Sequence, residues 1–491
     1  MRSIVTFLLC AFAVPACLPT GDASTGPPPK PCPDSMHMSF EFPSTRVPPV
    51  DILVVIDNSM SMAEEQANLA HSFPNLLGKL IDPPRDPDSG RQLHAPVTDI
   101  HIGVVSTDMG TGGYSVETCS DPIDGDDGIL LHTPNPSIAG CDASYPTYLS
   151  SESEEHIDRM ATDFGCIATL GIDGCGFEQQ LKAGKKALVD HRDGANAGFL
   201  RPDSLVIVLY LTDEEDCSIV AGGEGIFDTL DSSLGHLGLR CYHHPELMEP
   251  VETYIEALRS LRADPDRLIA AFLVGVPEHD DCLGLGSDIP GCLDHPDMAG
   301  GVDPVSMTRL TPTCVTSTGE AYAGRRFVEI AQALGESSIV GSICTDDFQP
   351  FIRDLADLVH DRLRPAAPIP PLPVEADAED PSLCRASCTL VEVLPDLREC
   401  PAGRTCVTDG DGLCTFEQHG DGLLHSLCEL PQVPTRLLDP GDDCLDATVA
   451  HVPEEGAGWY YVPTTYGVPR IRYAGGASQV PGSTMRLSCC F

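Results

Sequence analysis

Basic side chains are scarce in this sequence. Lys and Arg together number 29 against 74 Asp and Glu, a formal charge of −45 over 491 residues. No basic stripe interrupts the excess, so phosphate backbones are repelled and nucleic-acid binding is excluded as a function class. Aromatics make up 5% of the chain, with a single tryptophan, Trp459. No apolar run reaches the roughly 20 residues that a helix needs to span a bilayer. Compact C-x-x-C pairs are missing, and Cys384 and Cys388, with three residues between them, come nearest to one. The usual zinc arrangements are thereby disfavoured. There is no G-x-S-x-G and no H-E-x-x-H, which removes the nucleophile elbow and the zinc-protease helix. No enzyme emerges from the motifs.

What is present starts with length and cysteine. A chain of 491 residues exceeds one ordinary core, and 44 Pro and 45 Gly call for long loops or linkers. The first residues, MRSIVTFLLCAFAVPAC, place one Arg before a short apolar stretch and end at Cys17. That pattern predicts a cleaved export signal over 1–16. Val14-Pro15-Ala16-Cys17 resembles the lipobox of bacterial lipoproteins, which implies acylation of Cys17 and a membrane anchor. Residues 17–47, beginning LPTGDASTGPPPKP after the cysteine, read as a flexible stalk. Of 22 cysteines, those beyond Cys10 and Cys17 are even in number and irregularly spaced, as disulfides in an exported chain would be.

From 48 to 363, apolar runs alternate with amphipathic segments. Ile52–Ile56, Ile100–Val105, Leu205–Leu211, Leu268–Val276 and Ile339–Ile343 have the length and β-branched content of strands buried on both faces. Leu69, Phe73, Leu76, Leu77 and Leu80 recur at helical spacing, as do Phe351, Leu355 and Leu358. The alternation predicts an α/β fold, a doubly wound and mostly parallel sheet. Insertions near 109–165, 217–249 and 277–318 are rich in Gly, Asp, Pro and Cys. Neighbouring pairs 119–141, 166–175, 217–241, 282–292 and 314–344 are the simplest staples for them. Residues 364–382 form a Pro-rich acidic linker, and 383–491 a small cysteine-rich β-type domain. Cys32 is the candidate partner for a bridge between the two units.

The chemistry gathers at strand ends. In an open parallel sheet, ligands sit beyond the carboxyl ends of the strands. There the run VDILVVI stops at Asp57, with Ser59 and Ser61 behind it, and LVIVLYLT stops at Asp213. Carboxylates and hydroxyls are hard donors, suited to magnesium, manganese or calcium. Asp57-Asn58-Ser59-Met60-Ser61 matches D-x-S-x-S, and these residues resemble the von Willebrand factor type A domain with its metal-ion-dependent adhesion site. The resemblance covers about 48–363. It implies metal ligation by Asp57, Ser59, Ser61 and Asp213, with one coordination position left for a partner's carboxylate. The family's threonine has no match: Cys175 or Gly176 stands near its place, Thr169 lies upstream, and Glu178 offers a carboxylate instead. Which residue completes the shell stays open at this point.

The bland readings compete. Asp57 is also a candidate helix cap, and DPIDGDDG at 121–128 is better read as a turn than as a calcium loop. Trp459-Tyr460-Tyr461 suits an aromatic core better than a sugar-stacking face. The expectation is a surface or outer-membrane binding protein, lipid-anchored, with a divalent cation docking a neutral or basic protein that presents one carboxylate. A periplasmic or secreted location is the alternative. Rival functions are a secreted scaffold without functional metal, and a glycan-binding or hydrolytic C-terminal domain.

Overall fold

The computed structural model describes residues 37–43, 47–85, 96–151, 157–316, 319–363, 367–368, 372–377, 380–409, 412–418, 423–437, 444, 451–454, 456–462, 470–474, 477, 479–480 and 483–490. In chain order come β1 (His37–Pro43), β2 (Val50–Ile56), α1 (Ala63–Ile81), β3 (Ile100–Ser106), β4 (Leu149–Ser151), α2 (Ile157–Ala168) and α3 (Gln180–Lys185). Then follow β5 (Leu205–Leu211), α4 (Arg240–His243), α5 (Val251–Ser260), β6 (Leu268–Val274) and β7 (Gly284–Leu285). After these come β8 (Cys314–Val315), β9 (Glu320–Ala321), α6 (Arg325–Leu334), β10 (Ser338–Ser342) and α7 (Gln349–Leu363).

The five long apolar runs all form strands. They build one sheet in the order β4-β3-β2-β5-β6-β10-β7. Strands β3, β2, β5, β6 and β10 pair in parallel, and the edge strands β4 and β7 are antiparallel. β2 shows why its sequence has no polar residue between Asp51 and Asp57. Ile52, Val54 and Ile56 pack into the layer of α1, α2 and α7, with Phe73, Leu77, Phe164 and Leu355. Leu53 and Val55 face the opposite layer, with Leu181, Leu258 and Phe327. A strand covered on both sides needs apolar residues at every position. The helices do the reverse: α1 buries Leu69, Phe73, Leu76, Leu77 and Leu80 on one stripe and leaves Glu64 exposed.

Past 363 the chain builds antiparallel sheets. One runs β1, 484–490, 388–393, 424–430, 405–406, with 416–418 also on 424–430. Trp459, fully buried, centres its core with Leu390, Leu430, Ile471, Met485 and Leu487. This unit is clasped to the first by Arg472, whose guanidinium lies 3.3 Å from Asp266, 3.6 Å from Asp361 and 3.7 Å from Glu336.

These sheets correct the expected fold class. Among the described residues thirteen of the seventeen strand ladders are antiparallel. A doubly wound, mostly parallel sheet with a small β appendage therefore does not describe this chain; parallel pairing is confined to the five strands above. Buried apolar runs advertise strands covered on both faces, whereas short strands with one wet face leave little trace in composition. A second correction concerns the stalk. Residues 37–43, placed there from sequence, form β1 and pair along their full length with 484–490. The export signal, Cys17 and Cys32 lie outside the described residues.

Nine disulfides are formed among the described residues. The pairs 217–241, 282–292 and 314–344 are as expected. The other two expected pairs are exchanged: Cys119 bonds Cys175, and Cys141 bonds Cys166. Cys119 and Cys175 share an apolar cluster with Val116, Phe177 and Phe227, while Cys166 on α2 belongs to the core beneath α1. The insertion is thus pinned at two places by nested bridges, Cys141–Cys166 lying inside Cys119–Cys175. Cys384 and Cys388 bond Cys444 and Cys489 respectively, which takes both out of any zinc site.

Candidate functional site

Register brings the site together. Ile56 pairs with Leu211, so Asp57 and Thr212 leave their strands side by side. The Asp57 amide donates to the Leu211 carbonyl at 3.0 Å, which ties the two strand ends. Thr212 Oγ1 then donates to Asp57 Oδ2 at 2.6 Å, and the Ser59 amide donates to Asp57 Oδ1 at 2.8 Å. Ser59 Oγ and Ser61 Oγ are 3.3 Å apart. Gln66 on α1 holds the turn from behind, donating to the Asp57 carbonyl at 2.8 Å and to the Gly171 carbonyl at 2.9 Å. Asp57 does not cap α1: the cap position is Met62, with no side-chain cap bond. The capping reading is set aside on that ground.

The loop carrying Glu178 closes over this turn. The Gly174 amide donates to the Asn58 carbonyl at 2.9 Å, and a Cβ on Gly174 would lie 2.2 Å from Asn58 Oδ1. A larger residue there would have to displace the Asn58 side chain. The Gln179 amide donates to the Thr107 carbonyl at 3.1 Å, and the Cys217 amide to the Glu178 carbonyl at 2.9 Å. Glu178 is thereby fixed between the ends of β3 and β5.

Asp57, Glu178, Asp213 and Glu214 lie near enough to feel one another's charge, and among the described residues none of them forms an ion pair with Lys, Arg or His. Asp57, Asp213 and Glu178 are 0%, 6% and 4% exposed. Burial raises the Asp57 carboxyl, against the hydrogen bonds from Thr212 and Ser59 that lower it. Burial holds Glu178 well above the ordinary carboxylate range, and the charges of Glu214 and Asp57 add to the effect. Burial does the same to Asp213, reinforced by Asp57 and Glu214 and opposed by a bond from Ser61. Glu214 is pushed to about 7 by burial and by Asp57. Oδ1 of Asp213, Oδ1 of Asn58 and Oγ1 of Thr107 are buried without a hydrogen-bond partner. Buried charge is costly unless it is paired or coordinates a metal.

Of the residues expected from sequence, Asp57, Ser59, Ser61, Asp213 and Glu178 all reach this one location. Thr212, Glu214, Thr107 and Gln66 belong with them and carried no motif. Glu215 and Asp216, next in the acidic run, turn away: Glu215 accepts from the Arg325 and Arg326 amides, and Asp216 pairs with the Arg326 guanidinium at 3.0 Å. Among the described residues no group of three His, Cys, Asp or Glu is placed to hold a metal ion. The donors here mix carboxylates with hydroxyls. Elsewhere, Asp127 in the 121–128 segment is taken up by Lys186 and His191, with φ of +54° as a turn residue. Trp459, Tyr460 and Tyr461 are buried, so they offer no stacking face.

No family model matches the chain, and no curated protein matches it. Among solved structures it is similar to proximal thread matrix protein 1 from the mussel byssus, at 10% identity and a TM-score of 0.28, over 67% of this chain and 51% of that one. A pilus adhesin of Streptococcus pneumoniae gives 11% and 0.23, over 93% of this chain and 59% of that one. The adhesive tip pilin of Streptococcus agalactiae gives 12% and 0.22, over 92% of this chain and 81% of that one. The chain thus spans under two thirds of the first two.

Proposed function

We propose that this chain is an exported binding protein that holds a divalent cation at Asp57, Ser59, Ser61, Asp213 and Glu178 and docks a partner protein through it. The observation that carries the reading is the buried, partnerless Oδ1 of Asp213 beside three further carboxylates, with no Lys, Arg or His paired to any of them among the described residues. Two hydroxyls and three carboxylates are hard donors, fit for magnesium, manganese or calcium. The bound cation would supply the positive charge that these acids lack. Export is supported by nine disulfides, which persist in oxidising compartments. Acylation at Cys17 is the proposed membrane anchor, checked by intact mass of the mature chain and by release of Cys17→Ser.

The role is binding rather than catalysis. Calorimetric titration of the full chain with magnesium, manganese and calcium is the test. A site is expected in the wild type and none in Asp57→Ala. Absence of uptake by the wild type at millimolar cation would leave the scaffold reading in its place.

A further inference from the structure

We propose that an apolar groove in the unit past 363, lined by residues between 397 and 427, docks a basic segment of a partner protein by taking up one of its apolar side chains. This contact is separate from the Asp57 site and needs no cation.

Five large apolar side chains are exposed among the described residues past 363, and all fall between 397 and 424: Leu397, Leu413, Phe416, Leu423 and Leu424. Strand pairing puts two of them on one face. Phe416 stands opposite Ser426 and Leu424 opposite Gln418, so Phe416 and Leu424 lie diagonally on the same side of the ladder. Glu417, between them in phase, points to the other side and meets Arg486 at 2.8 Å. Leu397 joins Phe416 in lining a groove of about 450 Å³, with Thr415, Ser426 and the Cys406–Cys414 bridge. That volume is in the range of ligand clefts.

The walls are fixed before anything binds. The Arg398 amide donates to Ser426 Oγ at 3.1 Å, and Ser426 Oγ donates to the Arg398 carbonyl at 2.6 Å. Thr415 Oγ1 donates to the Val407 carbonyl at 2.9 Å. Cys400 is bonded to Cys428 on the strand 424–430. With both hydroxyls engaged internally, the groove offers an apolar surface, and its preformed walls spare the ordering cost of binding. An apolar patch of this kind on a water-soluble face marks a contact site.

Charge selects the occupant. Residues 364–491 contain no lysine, and 395–430 hold seven Asp and Glu against two Arg. Both arginines are taken: Arg398 donates from Nε and Nη2 to the two oxygens of Asp396, and Arg404 pairs with buried Glu392 at 2.7 Å. Glu399, on the groove, is exposed and forms no ion pair among the described residues. Phosphate headgroups and a second copy of this chain, each strongly negative, are therefore repelled. A segment with Lys or Arg flanking Leu, Ile or Phe meets attraction at the rim and burial in the groove.

The probe is a fluorescein-labelled peptide, Lys-Leu-Lys-Phe-Lys-Leu-Lys, titrated with the full-length protein and read by fluorescence anisotropy. Lys-Ser-Lys-Ser-Lys-Ser-Lys is the control of equal charge. The wild type is expected to bind the first at least roughly tenfold more tightly than the control. Phe416→Ser and Leu397→Ser should each remove that margin; these side chains are 50% and 56% exposed, so neither change opens the core. Glu399→Lys should weaken binding at low salt and not at high salt. Leu230→Ser, at an exposed position of the first unit, and added chelator should both leave the margin intact. Equal binding of the two peptides by the wild type overturns the proposal, as does a margin that survives both groove substitutions or is lost with Leu230→Ser or chelator. Binding to phosphatidylcholine vesicles, or self-association in sedimentation, that the wild type shows and Phe416→Ser lacks overturns it in favour of a membrane or a second copy.

Discussion

Asp51 and Asp57 stand at opposite ends of β2, both fully buried, and differ in what faces them. Asp51 Oδ1 accepts from Arg201 Nε at 2.8 Å, its other oxygen accepts from the Arg201 amide at 2.7 Å, and Ser204 also donates to it. Nearby on the same pole, Asp266 is shared by Arg362 and Arg472. At the other pole Asp57 meets Glu178, Asp213 and Glu214. The amino end neutralises Asp51 and Asp266 with guanidinium; at the carboxyl end Arg326 pairs with Asp216, and among the described residues no guanidinium pairs with Asp57, Glu178, Asp213 or Glu214. The same strand therefore carries a charge paired with guanidinium at one end and, at the other, the charge for which a ligand is proposed, and burial alone does not tell them apart. The partner does.

The contrast breaks most severely at the amino pole. Arg201→Ala removes the guanidinium from buried Asp51 and leaves it only Ser204, the residue-201 amide and His101 at 3.6 Å, with an expected loss of about 3 kcal/mol in denaturant unfolding that no divalent cation restores. At the carboxyl pole the expected behaviour is inverted. Wild type should gain about 2.7 kcal/mol at a cation concentration one hundred times Kd, read as a rise in Tm against chelator. Asp57→Asn should lose that gain yet melt no lower than wild type in chelator, since it removes one of several like charges. A marked drop in chelator would mean that Asp57 is structural after all.

Smaller effects sharpen the same picture. Arg472→Ala removes charged contacts to Asp266, Asp361 and Glu336, and about 1.5–3 kcal/mol is expected, measured as faster proteolytic release of the C-terminal unit with cation uptake unchanged. Lys79→Ala, by contrast, breaks a 3.7 Å pair to Asp357, which is 62% exposed. It should cost at most ~0.5 kcal/mol by the same unfolding assay and vanish in high salt.

How much of this was legible in the sequence varies by region for physical reasons. The strands of the parallel ladder announce themselves because two covered faces demand unbroken apolar runs. β1 carried the fainter sign of alternation, with Met38, Phe40 and Phe42 interleaved by Ser39 and Glu41, and the proline-rich neighbourhood masked it. The exchanged disulfides depend on how loops fold over one another, which spacing cannot encode. At the site, Asp57, Ser59 and Ser61 follow from their motif, Asp213 from a strand end, and Glu178 from its nearness to the unmatched threonine position. Thr212 and Glu214 were not readable. Their place beside Asp57 follows from the β2–β5 register, a property of pairing and not of either segment.

The neighbouring ends of the described chain have a mechanical consequence. His37 faces Cys490 on one sheet, and β1 leads directly along the chain to β2. Were a partner seated at Asp57 as proposed, tension between it and residue 37 would follow the chain through β1 into β2, with the C-terminal unit beside that line and not in series with it. β2 then takes the pull between two parallel neighbours, seven residue pairs on each side, which resist sliding together instead of unzipping one by one.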